Sequence, residues 1–265
     1  MKNTGSFVRT ACLLAMALSA GAASAAPINW TDWTGSDLDS GPGFKGVGTI
    51  TTPTSTVTVT YTNPLGIGFY QSNGGTYYYS NGTDGPTGTS PYTSTAVDNR
   101  PDSADIIALR YAGNQTLTFS QAIANPVFAY VSLNGNGYSF DQDFDILSFG
   151  SPSDGNACGY WGCGTSYKQI VTVNGLTQYQ LLGTGEPHGT LQFKGTFDTL
   201  NWRSLSNEYW NGFTVGVQGT AVEFCEANPN APGCTPSNNV PEPTSLALLG
   251  MGLVGLVAAS RRRKS

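Results

Sequence analysis

Thr56-Val57-Thr58-Val59-Thr60-Tyr61-Thr62 alternates strictly, with Val57, Val59 and Tyr61 on one face and threonines on the other. Strand side chains point to opposite faces with period two, so this stretch reads as a half-buried β-strand. The pattern recurs outward from it. Ile107, Leu109 and Tyr111 share a face, Leu117 and Phe119 follow, and Val127, Ala129, Val131 and Leu133 come after Pro126. Phe140, Phe144 and Ile146 form another set. Ile170 to Val173, Leu191 with Phe193, Phe197 to Trp202, and Phe213, Val215 and Val217 complete the series. Turn signals stand between them, among them Asn81-Gly82, Asn134-Gly135-Asn136-Gly137 and Asn174-Gly175.

Composition agrees with that reading. Only 11% of the 265 residues are charged, and there are 34 glycines and 15 prolines. Coiled coils and helical bundles need charge-rich helix formers and are excluded. With 39% hydrophobic and 11% aromatic residues the chain is not of the disordered class. Residues 26–222 are expected to form one all-β domain, a β-sandwich of jelly-roll-like type. Neither a helical period of useful length outside the termini nor a fixed repeat is present. Tyr70 to Thr95, rich in Gly, Ser, Thr and Tyr, reads as a long surface loop or irregular hairpin, and residues 223–239 as a Pro/Asn-rich linker.

Charge is placed unevenly. Residues 26–240 hold six bases against sixteen acids, a formal charge near −10, and no basic stripe. Nucleic-acid binding draws on counterion release at phosphates and is excluded.

The two ends read as addresses. Lys2 and Arg9, then Ala11 to Leu18, then Ala23-Ser24-Ala25 make a secretory signal peptide over residues 1–25. At the other end, residues 240–265, Val240-Pro241-Glu242-Pro243 precedes an apolar run from Leu246 to Ala259 and the basic cluster Arg261-Arg262-Arg263-Lys264. The apolar run can enter a bilayer, and the bases should stay on the cytoplasmic side. Residues 26–240 would then lie outside the inner membrane.

Pro-Glu-Pro, an apolar helix and a terminal Arg cluster, in that order, resemble the PEP-CTERM sorting signal of Gram-negative bacteria. The resemblance implies Pro241, Glu242, Pro243, Arg261, Arg262 and Arg263 as the sorting motif. It implies processing by exosortase, transient inner-membrane insertion of the tail, and association with exopolysaccharide and biofilm in the cell envelope or extracellular matrix. The segments Leu117 to Ser120, Tyr160-Trp161-Gly162, Gly189 to Gly195 and Glu208 to Gly216 are similar to a body type recurrent among such proteins. That similarity supports the fold and assigns no reaction.

Cys12 leaves with the signal peptide. Cys158, Cys163, Cys225 and Cys234 remain, an even count that implies disulfides in an exported chain, with three possible connectivities. Local pairing is favoured, Cys158–Cys163 closing Gly-Tyr-Trp-Gly and Cys225–Cys234 closing a Pro/Asn-rich loop. Zinc is disfavoured because there is no C-x-x-C.

Several residues are candidates for a site. Asp141, Asp143 and Asp145, if on one strand, point the same way about 7 Å apart and suit calcium, although the sequence does not continue as an EF-hand. A solvated strand face is the plainer reading of the three. Tyr160 and Trp161, at the tip of the small disulfide ring, can stack on sugar faces, and Tyr77-Tyr78-Tyr79 likewise. For all five, packing against the sandwich edge is the plainer reading. Trp202 and Trp210 read as core. His188, the only histidine, lies at a turn with no G-x-S-x-G elbow to serve and reads as non-catalytic. Glu186 and Glu208 are candidate carboxylates for a glycosidase, a weak signal among seventeen acids. The expectation is a non-enzymatic, exported matrix protein with no cofactor beyond the candidate calcium. A lectin-like carbohydrate-binding module and a polysaccharide-active hydrolase are the rival readings.

Overall fold

A computed structural model describes residues 27–37, 43–80, 90–231 and 234. In chain order its strands begin with β1 (Asn29–Trp30), β2 (Asp32–Asp37), β3 (Phe44–Thr51), β4 (Thr56–Asn63), β5 (Phe69–Gln71) and β6 (Ile106–Leu109). They continue with β7 (Gly113–Ala124), β8 (Val127–Val131), β9 (Gly137–Phe140), β10 (Phe144–Phe149) and β11 (Gly164–Val173). The last are β12 (Leu176–Gly185), β13 (Gly189–Phe193), β14 (Thr196–Ser204), β15 (Asn211–Val217) and β16 (Gly219–Thr220), followed by helix α1 (Ala221–Ala227).

The strands form two antiparallel sheets. One runs β10-β13-β8-β15-β6-β5, with β1 also on β15; the other runs β11-β12-β9-β14-β7-β4-β3-β2, with β16 on β7. They pack face to face as a β-sandwich, the expected architecture. Val57, Val59 and Tyr61 of β4 are fully buried between the sheets, beside Leu117, Phe119, Phe128, Trp202 and Phe213. Asn63 and Gln115 bond the buried Tyr61 hydroxyl at 3.0 and 2.7 Å, which satisfies its polar tip.

Strand β8 departs from alternation because both of its faces are buried. Phe128 and Tyr130 enter the space between the sheets. Val127, Ala129 and Val131 face a second cluster with Ile28, Trp30, Tyr79, Tyr92, Val97 and Ile106. Tyr79, Tyr92 and Val97, from the chain between β5 and β6, supply much of that cover. The surface loop expected over Tyr70 to Thr95 is therefore corrected: Tyr79 and Tyr92 are fully buried, their rings edge-on at 5.3 Å. Asp105 ties the cover down, accepting from the backbone N–H of Trp33 at 3.0 Å and of Asn73 at 3.2 Å.

A second correction concerns the expected linker. Ala221–Ala227 is a helix, capped by Thr220 and Glu223 in a reciprocal capping box. Glu223 also accepts from the Thr52 hydroxyl at 2.6 Å and from Thr54. Burial opposes its ionisation, but the bonds from Thr52, Thr54 and Thr220 prevail and draw its carboxyl down to about 2. Tyr111, expected on a strand face with Leu109, lies beyond β6 and is exposed. Phe140 and Phe144 lie on separate strands, joined by a turn. Both local disulfides, Cys158–Cys163 and Cys225–Cys234, are formed.

Because the Tyr79 ring is buried in the second cluster, Tyr79→Ala should cost about 3–5 kcal/mol of unfolding free energy in denaturant titration. A change within about 0.5 kcal/mol would place it on the surface instead.

Candidate functional site

Strand register gathers four connections at one end of the sandwich. Gly189 pairs with Tyr130 and with Phe149, Gly164 with Gly185, and Ser204 with Tyr138. Residues 132–136, 150–163, 186–188 and 205–210 therefore emerge together.

The disulfide ring forms the rigid part of this end. Gly159 and Gly162 bridge, with the Gly162 N–H donating to the Gly159 carbonyl at 3.2 Å, so Tyr160 and Trp161 occupy the centre of a tight turn. The flanking backbone is stitched in place: Gly164 donates to Gly150 at 3.1 Å, Gly150 to His188 at 2.9 Å and Glu186 to Cys163 at 3.0 Å. Beneath the ring lies His188, fully buried. A β-carbon at Gly159 would collide with its imidazole, so glycine there permits the contact. Nδ1 of His188 is 3.1 Å from the Tyr92 hydroxyl, and Nε2 has no hydrogen-bond partner. Burial holds the imidazole pKa down at about 3, so the ring is neutral at physiological pH. Its place is that of a packed strut.

Tyr160 and Trp161 remain on the surface, 37% and 53% exposed. Tyr160 meets Tyr78 edge-on at 5.1 Å, and Trp161 lies 6.4 Å from Trp210. Trp210 in turn packs edge-on against Tyr78 and Phe69, each at 5.0 Å. Tyr209, in the same connection, is 84% exposed. Trp210, expected in the core, is half-buried support for this cluster, whereas Trp202 is core as expected. Of the three consecutive tyrosines only Tyr78 joins the cluster. Tyr79 is buried, and Tyr77 bonds the Pro101 carbonyl. The supporting roles of Tyr78, Phe69 and Trp210 depend on long-range pairing and had no local signal beyond being aromatic.

Both candidate glutamates belong to this end. Glu186 accepts from the Ser132 hydroxyl and the Asn134 amide, each at 2.6 Å. Glu208 accepts from the Asn211 amide at 2.8 Å through Oε2, while its Oε1 is buried without a partner. Burial, with the charge of Glu186 adding to it, pushes the Glu208 carboxyl up to about 7. One of its two oxygens is thus turned inward.

The three aspartates lie at the opposite end, and the single strand face expected for them is corrected. Asp141 and Asp143 belong to the turn between β9 and β10, while Asp145 is on β10. Lys168 bonds Asp143 at 2.8 Å and comes within 4.0 Å of Asp145, which Lys194 also pairs. Two lysines thus supply positive charge beside Asp143 and Asp145, the candidate calcium ligands. Among the described residues, no group of three His, Cys, Asp or Glu side chains is placed to hold a metal ion.

The fold and this end define an all-β protein that presents a braced aromatic surface on its loops. Residues 239–264 match the family described as the PEP-CTERM protein-sorting motif. The chain therefore carries that sorting signal and is an exported protein sorted by exosortase to the cell envelope or extracellular space. No curated protein and no solved structure matches it. The signal peptide and the sorting residues Pro241, Glu242, Pro243, Arg261, Arg262 and Arg263 lie outside the described residues. Among those described, no helix is long and apolar enough to cross a membrane.

Glu208 holds its proton more tightly folded than unfolded, so folding stability should fall as pH rises from about 4.5 to about 7. His188 acts with the opposite sign, its contribution being lost as pH falls from 6.5 towards about 3. Glu208→Gln should remove the decline on the neutral side in thermal melts across pH; an unaltered profile would refute the burial argument. Replacing Cys158 and Cys163 by Ser should cost roughly 2 kcal/mol in denaturant, the chain-entropy value for so small a ring.

Proposed function

We propose that the body is a non-catalytic binding module for extracellular polysaccharide, which the sorting signal delivers to the cell surface or matrix. The observation that supports this reading is Trp161, half exposed on a disulfide-closed turn and braced through Trp210 and Tyr78. An indole fixed in this way offers its face to the C–H surface of a sugar ring with little ordering left to do on binding. The exopolysaccharide association implied by the sorting signal points to the same ligand class. Contact is through aromatic surface and needs no calcium.

Affinity electrophoresis of the exported chain through gels containing the host's own exopolysaccharide tests this. Retardation should be equal with calcium and with chelator, and Trp161→Ala should lower the apparent affinity roughly tenfold, the loss of one stacked ring. Migration of the wild type unaffected by the polymer would sink direct binding. Release of new reducing ends, abolished by Glu208→Gln, would replace the binding module with a hydrolase.

A further inference from the structure

The outer face of the nine-stranded sheet carries a groove of about 470 Å³, lined mostly by polar side chains. Its volume lies within the range of small-molecule sites, roughly 300–1,000 Å³. Five neighbouring strands build it: Val173 comes from β11, Gln178 from β12, Ser139 from β9, Asn201 and Arg203 from β14, and Thr116 from β7, with Asp141 just past β9. Register sets them in rows across the sheet, with Asn201 paired to Thr116 and Arg203 paired to Ser139.

Bonds inside the groove aim its amides. The Thr116 hydroxyl donates to Oδ1 of Asn201 at 2.8 Å, and Ser139, 4% exposed on the floor, donates to Oε1 of Gln178 at 2.6 Å. Each bond occupies the amide oxygen and fixes which way the group points. The NH2 groups of Asn201 and Gln178 make no hydrogen bond to any described residue and are left as donors. Arg203 and Asp141 also stand without an ion-pair partner among the described residues, although both line the groove. Partial desolvation raises the Asp141 carboxyl pKa from its ordinary value. The groove therefore offers oriented amide donors, a guanidinium and a carboxylate acceptor, and no exposed aromatic ring.

We propose that this face is a second saccharide site, which takes a segment of a neutral, hydroxyl-rich polysaccharide. Hydroxyls both donate and accept, which suits a lining of mixed sign. A polyanion would meet one unpaired arginine and a body with sixteen acids against six bases, so its approach is repelled. A peptide strand would seek a sheet edge, where backbone groups are free, and not a face of side chains. Without a stacking platform the groove binds weakly alone. Joined to the aromatic end through one polymer chain, it adds avidity. The proposal shares with the aromatic end only the reading that the body binds sugar polymer, and it stands on different residues.

The test is affinity electrophoresis of the full exported chain through dextran, hydroxyethyl cellulose and, as polyanion, alginate. Asn201→Ala/Arg203→Ala and Gln178→Ala are compared with Trp161→Ala, and near-UV circular dichroism checks that each variant remains folded. Retardation by a neutral polymer, weakened roughly tenfold in Asn201→Ala/Arg203→Ala and in the same direction by Gln178→Ala, is the expected result. Wild-type retardation by neither neutral polymer, or retardation by alginate alone, overturns the proposal. Loss on Trp161→Ala with both groove variants unchanged also overturns it, and leaves the aromatic end standing. Loss on the groove variants with Trp161→Ala unchanged has the reverse meaning: the groove is the site and the aromatic end is not.

Discussion

Phe128 lies flat against Phe213, ring centroids 4.7 Å apart and planes within 6° of parallel, and the loop end hangs from the strands these two residues anchor. Trp202 of the facing sheet meets both rings edge-on, at 5.5 Å from Phe128 and 5.2 Å from Phe213. Aromatic pairs of this kind add to the area they bury, because offset and edge-on arrangements suit the ring quadrupole. The consequence is positional. β8 and β15 are paired at the centre of one sheet with β14 packed across from them, and the connection from β14 to β15 carries Glu208, Tyr209 and Trp210 to a fixed place.

That fixed place is what makes Trp161 a surface and not a loose side chain. The ring closed by Cys158 and Cys163 has Gly159 on the His188 imidazole, and His188 is held under it by burial and by Tyr92. Tyr92 belongs to the chain that covers the outer face of β8. Support runs from the second core, through a neutral histidine, to an exposed indole. An exposed aromatic on a mobile loop would spend binding energy on ordering, whereas this one is ordered before any ligand arrives.

The sandwich was legible because its signal is local. Val57, Val59 and Tyr61 alternate within seven residues, and each cysteine pair is close enough in sequence for local closure to dominate. What escaped depends on contacts distant in the chain. β8 reads as alternating until one knows that Tyr79 and Tyr92 cover its other face; a strand buried twice is apolar throughout. Asp141, Gln142 and Asp143 continue the spacing of a strand, yet the chain turns there, and Lys168 and Lys194 claim the carboxylates from elsewhere. The polar groove is invisible for the same reason. Thr116, Ser139, Gln178 and Asn201 look like ordinary solvent-facing residues until register sets them side by side.

Charge placement narrows what such a body can hold. Sixteen acids and six bases over residues 26–240 leave it repelling polyanions at long range. Of the six bases, Lys168 and Lys194 are spent on Asp143 and Asp145, and the Arg100 and Arg110 guanidinium groups lie over the rings of Tyr77 and Tyr111. Electrostatic attraction is thus a poor basis for recognition here. On the proposed reading, contact comes instead where groups are already aimed. Two surfaces meet that condition: the indole on its disulfide turn and the amides of the groove. They differ in kind, one offering a ring face and the other hydrogen bonds. A polymer able to use both has apolar C–H faces and many hydroxyls, and carries little charge.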